Sequence, residues 1–132
     1  SAELEAFRNT YPSQLSIGMQ RRVSLIRAFS IQPDLLVMDE PFVSLDKRME
    51  DKLHQVLLDY WQTRNPSVLF VTHQINEALK LASRLLVFSS RPGTIILDIP
   101  VELSYPDRNT PEVFRAFVTK FSEEYPGIRQ IH

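Results

Sequence analysis

Leu35-Leu36-Val37-Met38-Asp39-Glu40-Pro41 is the stretch on which the fold turns. Four apolar residues in a row, closed by two carboxylates and a proline, read as a short strand covered on both faces, as strands of a parallel sheet are. Val68-Leu69-Phe70-Val71 and Leu85-Leu86-Val87-Phe88 repeat the pattern. Upstream, Met19, Val23, Ile26, Ala28 and Phe29 lay an apolar stripe along a helix over 16–31, which Pro33-Asp34 stops. Downstream, Met49, Leu53, Val56, Leu57, Tyr60 and Trp61 recur at helical spacing over 47–63, with Asp46 where an N-cap belongs. Asn65-Pro66 breaks that helix. Residues 75–82 form a further helix with Ile75, Ala78, Leu79 and Ala82 on one face. After the third strand, Arg91-Pro92-Gly93 is a turn and 94–99 a strand at a hairpin edge. A last helix spans Pro111–Glu124, with Phe114, Phe117, Val118 and Phe121 inward. Residues 1–13 read as a short helix and then a turn at Tyr11-Pro12. Strands alternating with helices imply an α/β fold with parallel strands, a C-terminal hairpin and a closing helix. Such folds bind ligands at the C-terminal ends of their strands.

Composition narrows the function classes. The chain has 132 residues, enough for one domain or a piece of one, with 15 basic residues against 16 acidic ones and a net charge of −1. That balance gives no general attraction to nucleic acid or to an anionic membrane. Cysteine is absent, which excludes disulfides and thiolate metal sites. No apolar run approaches the roughly 18 residues of a membrane-spanning helix, so any membrane role goes through a partner. No leader sequence is evident, and a first residue Ser1 suggests a processed, internally cloned or trimmed chain.

The polar residues gather at the places where such a fold does chemistry. Asp39 and Glu40 close a buried strand; the first suits Mg²⁺, directly or through water, and the second can polarise an attacking water as general base. A solvated turn would use the same residues. His73 follows 68–72 and can hydrogen-bond a phosphate or the attacking water, although a histidine at a strand–helix junction is commonplace. Leu15-Ser16-Ile17-Gly18-Met19-Gln20 opens a helix with Ser16 as N-cap, which makes a ready anion site and is equally an ordinary helix start.

Taken together, in this order and spacing, the motifs resemble the nucleotide-binding domain of ABC transporters over roughly residues 11–100. Leu15–Gln20 is similar to the signature motif, Leu35–Glu40 to Walker B with its catalytic glutamate, Ser44-Leu45-Asp46 to the D-loop and His73 to the switch histidine. Gln20-Arg21-Arg22-Val23 and Arg27-Ala28 fit the helix after the signature. The resemblance implies a partial P-loop NTPase domain. Residues 1–31 would be the signature-helix region, 32–100 the core from Walker B to the switch histidine, and 101–132 a C-terminal extension. It implies ATP and Mg²⁺ as cofactors of the complete domain. In a head-to-tail dimer, Ser16, Gly18 and Gln20 would touch ATP held by the second nucleotide-binding domain. Asp39 (metal), Glu40 and His73 (catalysis) would act on ATP held in cis, and Asp46 would lie at the dimer seam. The implied partners are permease transmembrane subunits and, indirectly, a solute-binding protein, with no nucleic acid. The implied location is cytoplasmic, peripheral on the inner face of the cell membrane. Glu77–Arg84, Ser90-Arg91-Pro92-Gly93 and Pro111-Glu112-Val113-Phe114 resemble, more narrowly, the ATPases of nitrate, sulfonate and taurine importers.

Two departures bear on activity. Ile17 stands where the signature has glycine, and a β-branched residue restricts the close approach that glycine permits. No G-x-x-x-x-G-K-[ST] loop is present, since none of Gly18, Gly93 and Gly127 precedes a lysine. The chain alone is therefore expected to bind ATP weakly and not to hydrolyse it usefully. Apolar strands without that loop's strand are expected to drive self-association, by edge pairing or exchange of elements. The alternatives are a truncated remnant of a full ATPase, a non-catalytic interaction module that pairs with another ATPase half, and a non-transport ATPase of translation or DNA repair.

Overall fold

The computed structural model describes residues 17–128. The helix expected within 1–13 and the candidate Ser16 lie outside them. Contacts divide the chain into two units, Ser1–Val71 and Thr72–His132.

In the first unit, α1 (Ile17–Ser30) leads to β1 (Leu35–Asp39), α2 (Lys47–Arg64) and β2 (Ser67–Val71). β1 and β2 pair in parallel, with Leu35 opposite Ser67 and Asp39 opposite Val71. Such a pairing requires a crossover, and α2 is that crossover. The helix starts where Asp46 accepts a hydrogen bond from the Met49 amide at 2.8 Å, so the N-cap read from sequence is present. It ends at Asn65, whose left-handed backbone (φ 53°) lets its amide reach Trp61 O. α1 and α2 are joined by the Phe29 and Tyr60 rings, stacked at 3.9 Å between centroids. The core of this unit comprises Leu25 and Phe29 of α1, Leu36 and Met38 of β1, Phe42, and Leu53, Leu57 and Leu58 of α2.

The expectation that the strands are covered on both faces does not hold here. Leu36 and Met38 are buried, whereas Leu35 and Val37 are 57% and 60% exposed. Alternate side chains of a strand point to opposite faces, and the described residues cover one face of this sheet.

The second unit contains α3 (Ile75–Leu81), β3 (Arg84–Phe88), β4 (Ile95–Pro100), α4 (Tyr105–Arg108) and α5 (Pro111–Glu124). β3 pairs antiparallel with β4, which makes the 94–99 region the hairpin strand expected of it. The turn between them is held by Ser89, whose hydroxyl donates to Pro92 O at 2.9 Å and accepts from the Thr94 amide. Ala78 and Leu79 of α3, Leu85, Val101, Val118 and Phe121 form the core, with Phe114 and Phe117 packed against it. The four inward residues expected of the last helix thus face this core.

Arg108 ties the unit together. It is 2% exposed, and its guanidinium donates to the carbonyls of Leu103, Leu79, Ala82 and Val101. Two of these acceptors belong to the C-terminal end of α3, where carbonyls lack helical partners and a cation is favourable. Among the described residues no helix is long and apolar enough to cross a membrane.

Candidate functional site

Asp39 is the last residue of β1, exposed, and in register with Val71 of β2. Glu40 follows with a left-handed backbone, φ 45°. That conformation costs a non-glycine residue about 1–2 kcal/mol and persists where its surroundings hold it. Two contacts do so. The Glu40 amide donates to Val71 O at 2.8 Å, extending the parallel ladder one step beyond β1. Arg21 of α1 reaches over the turn, donating from Nη1 to Pro41 O at 2.8 Å and Glu40 O at 3.5 Å. The turn then buries Phe42 at 3% exposure, edge-on to the His54 ring of α2. The backbone that carries the Glu40 carboxylate, at the end of a parallel strand, is thereby fixed by both neighbouring elements.

Asp46 lies on the same connection. Besides capping α2 through its side chain, it accepts the Glu50 amide with its carbonyl at 2.9 Å. Ser44, two residues earlier, also has a left-handed backbone, φ 66°. Gly18, on the first turn of α1, is buried beneath Met49 of α2: a Cβ built there would lie 2.5 Å from Met49 Cγ. Its lack of a side chain is thus used by helix packing, which brings the start of α1 beside the start of α2 and its cap Asp46. Ile17 and Gln20 are exposed on the first turn of α1.

His73 belongs to the second unit, is exposed, and follows β2 by two residues. Its backbone is shaped by Thr72, whose hydroxyl accepts the Gln74 amide at 3.1 Å ahead of α3. The first unit thus gathers Asp39 and Glu40 at one strand end and Gly18 and Asp46 at one helix junction. Arg21 belongs to the Gln20–Val23 run read as the helix after the signature, but its hold on this turn had no signal in the sequence, because the carbonyl lies 20 residues away.

The family described as ABC transporter matches residues 1–43. The chain is 38% identical over 122 residues to the aliphatic sulfonates import ATP-binding protein of Bacillus anthracis, covering 92% of this chain and 49% of that protein. It is 42% identical over 132 residues to the nitrate import ATP-binding protein of Synechocystis sp., covering 92% and 48%. The chain spans about half the length of the curated relatives it matches. Among solved structures it resembles a dimeric ATP-binding cassette in a post-hydrolysis state bound to ADP and Pi. There the TM-score is 0.63 and the identity 30%, over 76% of this chain and 42% of that one. A second ATP-binding cassette of an ABC transporter shares the fold at a TM-score of 0.64 and 20% identity, over 85% and 45% of the two chains.

Proposed function

Since this chain is of the ABC transporter ATP-binding family and resembles its sulfonate and nitrate import members, we propose that it forms the Walker B to switch-histidine part of an import ATPase. In this reading the complete ATPase hydrolyses ATP to ADP and phosphate and thereby moves a sulfonate, nitrate or taurine solute through permease subunits. Asp39, exposed at the end of β1, would hold Mg²⁺ directly or through water, and the ion would offset charge on the phosphate oxygens. Glu40 accepts the proton of the attacking water, and His73 hydrogen-bonds the γ-phosphate or that water. Ser16, Gly18 and Gln20 serve the nucleotide held by a second nucleotide-binding domain, and Asp46 links the two sites. Because Gly18 already packs on Met49, its share in that contact is through backbone. The chain alone, without a phosphate-cradling loop, is inactive, and the working protein sits against the inner face of the cell membrane.

The observation that carries this reading is Glu40. A non-glycine residue in a left-handed backbone, held by the neighbouring strand and by Arg21, keeps the root of a carboxylate side chain in one place at a cost in stability. A general base needs such placement, and a solvated turn does not.

A chimera tests the import role. In the Bacillus anthracis relative, the 122 matched residues are replaced by those of this chain. Introduced into cells that lack their own sulfonate-import ATPase, it is expected to restore growth on an aliphatic sulfonate as sole sulfur source. A folded, membrane-associated chimera that leaves the cells unable to grow would contradict the reading.

A further inference from the structure

We propose that Arg108 and Tyr105 are positioning residues for His73, which they place by gripping the far end of α3, the helix whose start carries that histidine's main chain. That His73 meets a phosphate rests on the reading above; that these two residues set its place does not. The link from His73 to α3 is short. On one side Thr72 accepts the Gln74 amide with its hydroxyl at 3.1 Å, and on the other the Gln74 carbonyl accepts the Ala78 amide at 3.1 Å. The main chain of His73 therefore moves with the first turn of α3. That helix has 7 residues, and its N-cap Gln74 makes no side-chain capping bond. A helix so short is marginal by itself. Ala78, Leu79 and Leu81 are buried, but apolar burial is non-directional and leaves a two-turn helix free to slide or rotate on its bed. Hydrogen bonds remove that freedom, because they weaken steeply with distance and angle.

The directional bonds come from α4. Arg108 Nη1 donates to Leu79 O at 3.2 Å and to Ala82 O at 2.6 Å, and Tyr105 Oη donates to Leu81 O at 2.9 Å. Carbonyls in the last turn of α3 thus find their partners in one four-residue segment. The grip is reciprocal: Lys80 of α3 donates to Arg108 O and lies over the Phe114 ring at 4.7 Å. Arg108 is itself anchored to the chain that leaves β4, through Nε to Leu103 O at 2.9 Å and Nη2 to Val101 O at 3.2 Å. Burying a guanidinium is costly, and a helix end exposed to water has no need of one. A planar fork with fixed donor directions suits a different task, which is to hold one element in register with another. At 1.5 Å per residue α3 spans about 10 Å, so the grip acts on His73 from the opposite end of a stiff rod. The stretch after β4 thereby gains a role in the site that its sequence does not announce.

The test is amide NMR of the 132-residue chain, native and with Tyr105→Phe or Arg108→Lys. Peak positions report the conformation of the folded state, so a variant that only loses stability leaves them where they were. Both variants are expected to shift the His73 and Gln74 amide peaks along one direction, Arg108→Lys further than Tyr105→Phe because it loses more bonds to α3. The Ser89 amide, which donates to Thr94 O in the β3–β4 turn, is expected to keep its native position. Lys120→Ala, on an exposed residue of α5, should move neither set. If Arg108→Lys unfolds, Tyr105→Phe, which removes one hydroxyl and keeps the ring, decides the matter. Native positions for the His73 and Gln74 peaks in a folded Tyr105→Phe chain overturn the proposal, and so does a shift no larger than that of Ser89. The measurement uses no ATP, so failure of the chimera to hydrolyse ATP would count against the ATPase reading and not against this one.

Discussion

Glu40 shows how much of the site rests on single residues. Its type and its place after Asp39 are visible in the sequence, but its left-handed backbone and its two restraints are not. The restraint from Arg21 is a long-range hydrogen bond to a main-chain carbonyl, which leaves no pattern in the chain's own periodicity. It suggests a direct experiment. Arg21→Ala frees the Pro41 carbonyl and loosens the turn that fixes Glu40. Misplacing a catalytic group by about 1 Å can cost two orders of magnitude, so a partial loosening is expected to lower kcat of the chimera roughly tenfold. KM for ATP should stay nearly unchanged, because Arg21 binds backbone rather than nucleotide. An unchanged kcat in the Arg21→Ala chimera would show that the turn holds Glu40 without it. Gly18 makes a related point: the resemblance gives it a contact with nucleotide, and helix packing also uses its missing side chain, beneath Met49.

At the scale of elements, periodicity and caps were highly legible. The Asp46 cap, the stop at Asn65 and the span of the last helix all follow from local chemistry, which sequence carries directly. What could not be read was coverage. A short apolar run has the same appearance whether its outer face meets a helix or stays open, and Leu35 and Val37 stay open. The buried Arg108 was equally hidden, since an arginine in a polar stretch reads as solvated. Its element, α4, also has a pH-sensitive joint. Tyr105 Oη donates to Leu81 O at 2.9 Å, at the end of α3, while the Arg108 guanidinium lies over the Tyr105 ring at 4.1 Å. Burial pushes the Tyr105 hydroxyl above its ordinary value, and the nearby Arg108 charge opposes this without overcoming it. The folded chain therefore holds that proton more tightly than the unfolded chain does. The stability this contributes is complete below the ordinary tyrosine pKa of about 10 and is lost as pH rises through the higher folded-state value. Tyr105→Phe is expected to cost about 1 kcal/mol at neutral pH, the usual worth of one hydrogen bond, and to flatten the alkaline fall in stability. Urea melts at pH 8 and at pH 10.5 check both; an equally steep alkaline fall in the variant would assign it to other groups.

For the whole molecule, the order of motifs identified the family, and the likeness to import ATP-binding proteins over 92% of the chain agrees with it. The parallel pairing of β1 with β2 was legible because a crossover helix between two short apolar strands has few other solutions. The hairpin character of β3 and β4 followed from the Arg91-Pro92-Gly93 turn. The central claim is that Glu40 is the base for ATP hydrolysis once a phosphate-cradling half is supplied. The measurement that tests it most directly is Mg²⁺-dependent phosphate release by the purified chimera, with and without Glu40→Gln. General bases contribute about 10²–10⁴-fold, so the native chimera should turn over ATP, and the Glu40→Gln chimera should bind it equally well yet release phosphate at least about a hundredfold more slowly. A folded Glu40→Gln chimera that hydrolyses ATP at the native rate would contradict the account.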